Sequence, residues 1–221
     1  MILAAGRGER LRPLTDTIPK PLIEVGGKPL IVHHLERLAE AGLTDVVINL
    51  GWLGKQIPAA LGDGSRFGLH IHYSTEPPGA LETAGGIVHA LELLGDAPFL
   101  VIAGDTLTDY DLSRLTGISP KGLAHLVMVD NPPHHPQGDF HLHEGKLHTH
   151  TEPRLTFSGI GVYRPEMFSH LTPGIRPLRP LFEQAIESGQ LSAEHHTGHW
   201  FDIGTHERLQ QLREHLKRNS H

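Results

Sequence analysis

Apolar residues in this chain follow two rhythms. Met1–Ala5, Asp45–Leu50 and Phe99–Ala103 are short apolar runs that predict strands, and the wholly apolar Phe99–Ala103 suits a position buried on both faces. Leu69–Tyr73 alternates and predicts a strand with one polar face. Between these runs the spacing changes to three and four. Leu30, Ile31, Leu35, Leu38 and Ala39 form a helical face that begins at Pro29 and stops at Gly42. Further helices are predicted over Leu53–Leu61, broken or kinked near Pro58, and over Thr83–Leu94 despite Gly85 and Gly86. Strands alternating with helices predict an α/β fold, a mainly parallel sheet covered by helices.

The later chain is less regular. Leu123–Val129 and Phe157–Tyr163 predict strands, and the Pro-, His- and Gly-rich stretch Asn131–His150 predicts a loop running into a hairpin around Glu144 and Gly145. Helices are predicted over Leu178–Ser188 and Thr205–Lys217, the latter with Leu209, Leu212 and Leu216 on one face. With no internal repeat and no linker, residues 1–221 are expected to form a single domain.

Composition narrows the function. Nineteen Lys and Arg against 25 Asp and Glu leave a formal charge of −6, so no broad cationic field exists to hold a nucleic acid or an anionic membrane; an anionic ligand needs a local site. The absence of cysteine removes disulfides, thiolate nucleophiles and Cys-ligated metals, which fits a cytoplasmic protein. No run approaches the length of a membrane span. The 19 histidines include His-x-His pairs that could ligate a metal, but they lie in Pro-, Gly- and charge-rich sequence without a His-Glu-x-x-His helix, and solvated side chains account for them better.

Four motifs carry chemistry. In Ala5-Gly6-Arg7-Gly8-Glu9-Arg10, a strand ends in a glycine-rich turn whose backbone N–H groups can approach phosphate; Arg10 and Arg12 add forked cations, and Lys20 adds a point charge in Pro19-Lys20-Pro21. A plain turn with solvated arginines is the bland alternative. Asp105, after the apolar strand Phe99–Ala103, and Asp202, in Trp200-Phe201-Asp202-Ile203-Gly204-Thr205, are hard oxygen donors suited to Mg²⁺, or else turn formers and caps. Glu82, Thr83 and Gly85 open a helix, where Glu complements the helix dipole or the glycines admit a flat ring.

Together and in this order, these motifs resemble the sugar nucleotidyltransferase family over nearly the whole chain. That resemblance implies a Rossmann-like core over about residues 1–130, a sugar-binding region over about 131–200 and a C-terminal helix over about 205–217, with no C-terminal β-helix. It implies Ala5, Gly6, Gly8, Glu9, Arg10, Lys20, Glu82, Thr83 and Gly85 at the nucleotide, and Gly138, Asp139, Glu152 and Ser158 at the sugar. Arg10, Lys20 and Asp105 are the implied catalytic residues, with Asp105 and Asp202 holding Mg²⁺. The implied reaction is nucleotidyl transfer from an NTP, UTP foremost, to a sugar-1-phosphate, foremost N-acetylmuramic acid 1-phosphate in peptidoglycan recycling, by a monomer or weak dimer. Mannose-1-phosphate with GTP, and glucose-1-phosphate with UTP or dTTP, are the alternatives. A non-catalytic sensor of nucleotide sugars would lose these charged residues, which are all present here. Arg154 or Lys146 could supply a cation for a lactyl carboxylate.

Overall fold

The computed structural model describes residues 1–79 and 81–219. In chain order, strands β1 (Ile2–Leu3), β2 (Glu24–Val25) and β3 (Lys28–Pro29) precede helix α1 (Leu30–Glu40), strand β4 (Asp45–Leu50), helix α2 (Gln56–Leu61) and strand β5 (His70–Thr75). Helices α3 (Glu82–His89) and α4 (Leu91–Leu94) lead to strands β6 (Phe99–Ala103), β7 (Thr106–Thr108), β8 (Ala124–Val129), β9 (His141–His143), β10 (Lys146–His148) and β11 (Thr156–Tyr163). Helix α5 (Arg179–Glu187), strands β12 (Leu191–His196) and β13 (Trp200–Asp202) and helix α6 (His206–Asn219) follow. No helix among the described residues is long and apolar enough to cross a membrane.

The chain forms two compact units, each discontinuous in sequence. The first comprises Ile2–Ala80, Ala103–Thr116 and Trp200–His221. Its strands β1, β4 and β5 are parallel, with Ile2 beside Ile48 and Asp45–Leu50 in register with His70–Thr75. Strand β1 is shorter than its apolar run because the Ala4 N–H leaves the ladder for the Asn49 side-chain oxygen, 2.6 Å away. Helix α1 buries Leu30, Ile31, Val32, Leu35 and Leu38 as its spacing predicts, and ends before Gly42. Helix α2 starts only at Gln56, three residues later than expected, so Pro58 lies in its first turn, where the missing N–H removes no helical bond and neither breaks nor kinks the helix.

Two short elements in this unit are invisible to periodicity. Strand β13 pairs antiparallel with β7, Asp202 opposite Thr106. Behind them a core of Leu11, Ile23, Val25, Leu30, Leu107, Ile203, Leu209 and Leu212 joins the glycine-rich segment to α6. Each such fully buried aliphatic side chain contributes about 1.5–3 kcal/mol, so the core holds both ends of the sequence in one body.

The second unit contains Leu81–Ile102 and Gly117–His199. Its strands run in the order β6, β11, β8, β12, β10, β9, with only β8 and β12 parallel among the pairs. The predicted hairpin forms: Glu144 and Gly145 both adopt left-handed backbone between β9 and β10. Nothing in the sequence marks strand β12, since Leu191-Ser192-Ala193-Glu194-His195-His196 is short and half polar; six residues paired with β8 hold it. The helix expected over Thr83–Leu94 breaks at Ala90 into α3 and α4. Tyr163 is buried among Phe99, Phe168 and Phe182, with ring centroids 5.8–6.3 Å away, and burial raises its phenol pKa.

On α1 in the first unit, His34 is buried. Burial foremost, with the charges of Arg37 and His33 adding to it, lowers its pKa from 6.5 to about 3. The native ring stays neutral, while an unfolded ring takes up a proton as pH falls below 6.5. The stabilisation is therefore present above pH 6.5 and is lost progressively from there down toward about 3. In thermal melts across this window, His34→Leu should flatten the acid-side fall in melting temperature relative to the parent; parallel curves would contradict this role.

Candidate active site

The glycine-rich segment is fixed at both ends and open in the middle. The Ala5 carbonyl accepts the Trp52 N–H at 3.3 Å, and the Gly8 carbonyl accepts both the Leu11 N–H and the Thr15 hydroxyl at 2.9 Å. Gly8 has φ of 67°, a conformation that favours glycine. Between them, Gly6 is exposed, with nothing within 4 Å of the position a Cβ would take. That leaves room for a ligand against the backbone. The Arg7 guanidinium stacks on Trp52 at 4.0 Å, and Arg7 Nε lies 3.6 Å from Glu9 Oε1. Glu9 and Arg10 are exposed, whereas the adjoining Leu11 is fully buried, so Arg10 projects from an anchored turn.

Lys20 is 8% exposed, and its ammonium donates to Asp105 Oδ2 at 2.6 Å. Asp105 is the more open partner, with 44% of its side chain accessible. Backbone pairing brings the second aspartate alongside: Ile203 N–H donates to the Asp105 carbonyl at 2.8 Å, and Asp202 is the strand partner of Thr106. Asp105 and Asp202, almost a hundred positions apart in sequence, are thus offset by one residue in a single ladder. Arg208 Nη1 sits on both Asp202 oxygens, at 2.7 and 2.5 Å. Sequence reasoning does not find this clamp, because Arg208 stands among polar residues opening a helix, where a solvated side chain is the ordinary reading of an arginine. Thr205 accepts the Arg208 N–H at 3.3 Å and Nε at 3.4 Å, capping the turn that carries it.

Within the second unit the predicted residues divide. Glu82 is exposed, Thr83 half-buried, and Glu82 holds a left-handed backbone with φ of 58°, a strained state for a non-glycine residue of the kind that clusters at binding sites. Gly85 needs correction. A side chain there would collide with the Gly174 carbonyl, and the Ala84 and Gly85 N–H groups donate to the Arg176 carbonyl at 3.0 and 3.1 Å. The chain itself fills the space assigned to a ligand's ring.

Ser158 is corrected likewise. It is 1% exposed, donates to the Val127 carbonyl at 2.6 Å, and accepts the Ile160 N–H at 3.1 Å. This bridges the bulge between Phe157 and Ile160 in β11 and leaves no hydroxyl facing solvent. Asp139 accepts the Phe157 N–H at 2.8 Å and lies 3.6 Å from Arg179, while exposed Glu152 lies 3.0 Å from Arg154 Nε. Gly138 abuts Asn131, a residue the sequence did not single out, whose side chain bonds the Pro136 and Arg154 carbonyls and the Thr156 hydroxyl.

Comparison with known proteins gives this arrangement a family. Residues 1–140 match the nucleotidyl transferase family model. The chain belongs to that family. It is 52% identical over 219 residues to N-acetylmuramate alpha-1-phosphate uridylyltransferase of Neisseria meningitidis serogroup B, covering 96% of this chain and 95% of that one. It is 32% identical to mannose-1-phosphate guanyltransferase of Aspergillus fumigatus over 92% of its length, and spans 60% of that longer protein. A Bacillus anthracis protein assigned as a glucose-1-phosphate thymidylyltransferase, solved with sucrose, superposes with a TM-score of 0.85 at 25% identity, covering 98% of this chain and 94% of that one. HddC of Yersinia pseudotuberculosis shares the fold, with a TM-score of 0.81 at 21% identity and 97% of each chain covered.

This nucleotidyltransferase therefore has the Rossmann-like mixed sheet that its motifs implied. Its Ser158 supplies a direct check on the corrected role. Ser158→Ala should lower stability by about 1–3 kcal/mol, because a buried carbonyl and N–H lose their partner, while the KM for the sugar phosphate stays at the parental value. A raised KM in a normally stable variant would restore Ser158 to the sugar site.

Proposed function

We propose that this nucleotidyltransferase transfers a uridylyl group from UTP to N-acetylmuramic acid 1-phosphate, releasing pyrophosphate. The observation that carries the reading is the gathering of Lys20 with Asp105 and of Arg208 with Asp202 beside the open glycine segment. The relative of 52% identity supports the choice of base and sugar. On this reading the chain acts as a single cytoplasmic enzyme, a monomer or weak dimer, in peptidoglycan recycling.

The difficulty of the reaction is electrostatic. A sugar phosphate dianion must approach an α-phosphorus already flanked by negative charge, so catalysis lies in alignment and charge compensation. An acceptor phosphate oxygen forms the new P–O bond in line, and the bond to the bridging α–β oxygen breaks, with pyrophosphate leaving with the electron pair. Gly6 and Gly8 present backbone N–H groups to the phosphates, and Arg10 reaches the leaving β- and γ-phosphates. Lys20, held in a buried slot, offers its ammonium to the α-phosphate and the acceptor. Glu82 and Thr83 meet base and ribose, and Gly138, Asp139 and Glu152 meet the sugar.

Asp105 and Asp202 fit a magnesium site: their donors are hard oxygens, and Mg²⁺ is ordinarily held by one or two carboxylates, with phosphate oxygens and water completing its shell. The chemistry supplied by Mg²⁺ when bound there is neutralisation of charge shared between nucleotide and acceptor phosphates.

Asp105→Ala should abolish metal-dependent pyrophosphate release without unfolding the protein, and Lys20→Met should lower turnover by about 10²–10³-fold; near-parental turnover in either would remove that residue from the machinery. For the substrates, a panel of four NTPs against four sugar-1-phosphates read by pyrophosphate release should give its highest kcat/KM with UTP and N-acetylmuramic acid 1-phosphate. Preference for GTP with mannose-1-phosphate would overturn the assignment.

A further inference from the structure

Gly204 stands between the second aspartate and the last helix, and its missing side chain is used. A Cβ there would collide with Arg208 Nη2 and would lie 2.9 Å from Arg10 Nη2. Two guanidinium groups therefore reach the notch beside this one residue. Arg208 passes through it with its other terminal nitrogen on both Asp202 oxygens, and the pair is largely removed from solvent, with 12% of the Arg208 side chain and 21% of the Asp202 side chain accessible. The two aspartates are thus matched in the same way: each has its own cation from the protein, Lys20 on Asp105 and Arg208 on Asp202.

We propose that Arg208 is a positioning residue, the resident counter-cation of Asp202, and that Gly204 is glycine so that its guanidinium can reach the carboxylate. The inference rests on the reading of Asp202 as a metal ligand. A carboxylate this sheltered is costly to leave unpaired, and Arg208 neutralises and aims it while no divalent ion is present. The same charge opposes a divalent ion arriving alone, because a dication beside a guanidinium meets strong repulsion in a sheltered site. Each carboxylate oxygen has more than one lone pair, so a metal escorted by anionic phosphates can share Asp202 with Arg208 where the bare ion binds poorly. Arg208 thereby sets metal affinity low in the nucleotide-free protein and makes metal binding depend on the triphosphate.

The test is calorimetric titration of the full chain with Mn²⁺ alone, no nucleotide present, alongside pyrophosphate release. Arg208→Gln and Gly204→Ala should each bind Mn²⁺ about tenfold tighter or more than the parent, and both should turn over more slowly. Arg208→Gln combined with Asp202→Asn should lose that gain. Gly204→Ala keeps every charge and displaces only the far ends of flexible side chains, so it carries the same test if Arg208→Gln does not fold. Unchanged or weaker Mn²⁺ binding in the folded variants, with Asp202→Asn still abolishing metal-dependent turnover, would overturn the counter-cation while sparing the metal reading. Parental turnover in Asp202→Asn would sink that reading, and the proposal with it.

Discussion

Opposite charges can be crowded into a small volume only if something uncharged holds them there, and here that is the aliphatic core of the first unit. Leu11 follows Arg10, Ile203 follows Asp202, and Leu107 lies two residues beyond Asp105; all three are buried in one cluster with Leu209 and Leu212 of α6. Ion pairs at a surface contribute little by themselves, because ordering long side chains offsets the Coulomb gain. Placed next to an immobile neighbour, the same side chains lose less freedom when they meet.

The first unit also shows how neighbouring residues divide the work around its charged groups. In the β13 segment, Asp202 supplies a carboxylate, Ile203 supplies both a core side chain and the N–H that donates to the Asp105 carbonyl, and Gly204 leaves the passage that Arg208 uses. Thr205 then caps the turn that carries the arginine. Four consecutive residues thus perform four different physical tasks, and exchange among them is not conservative even where size or polarity is preserved.

Much of this was legible in the sequence, and what was not has identifiable causes. Strands β4 and β6 match their apolar runs at both ends, and α1 matches its spacing, because burial on a defined face dictates those patterns. Strands β7, β12 and β13 were illegible: three to six residues, partly polar, are held by partners that only the fold brings near. The same division runs through the site. Arg10, Lys20, Asp105 and Asp202 stood out as charges in unusual company, whereas Arg208 and Asn131 act through partners six and about two dozen residues away and look ordinary where they stand. Ser158 and Gly85 were misjudged for one reason. A small or hydroxyl-bearing residue near a binding motif signals close approach, but not whether the thing approaching is a ligand or the chain's own backbone.

Because Leu11 shares its core with Ile203, Leu209 and Leu212, this core cannot close until segments widely separated in sequence have been brought together. Without α6 the chain carries Arg10, Lys20, Asp105 and Asp202, but neither Arg208 nor the apolar wall of Leu209 and Leu212 that steadies the turn behind them. Contacts of such long sequence separation form late and slowly, so competence for chemistry arrives only after segments far apart in the chain have found one another.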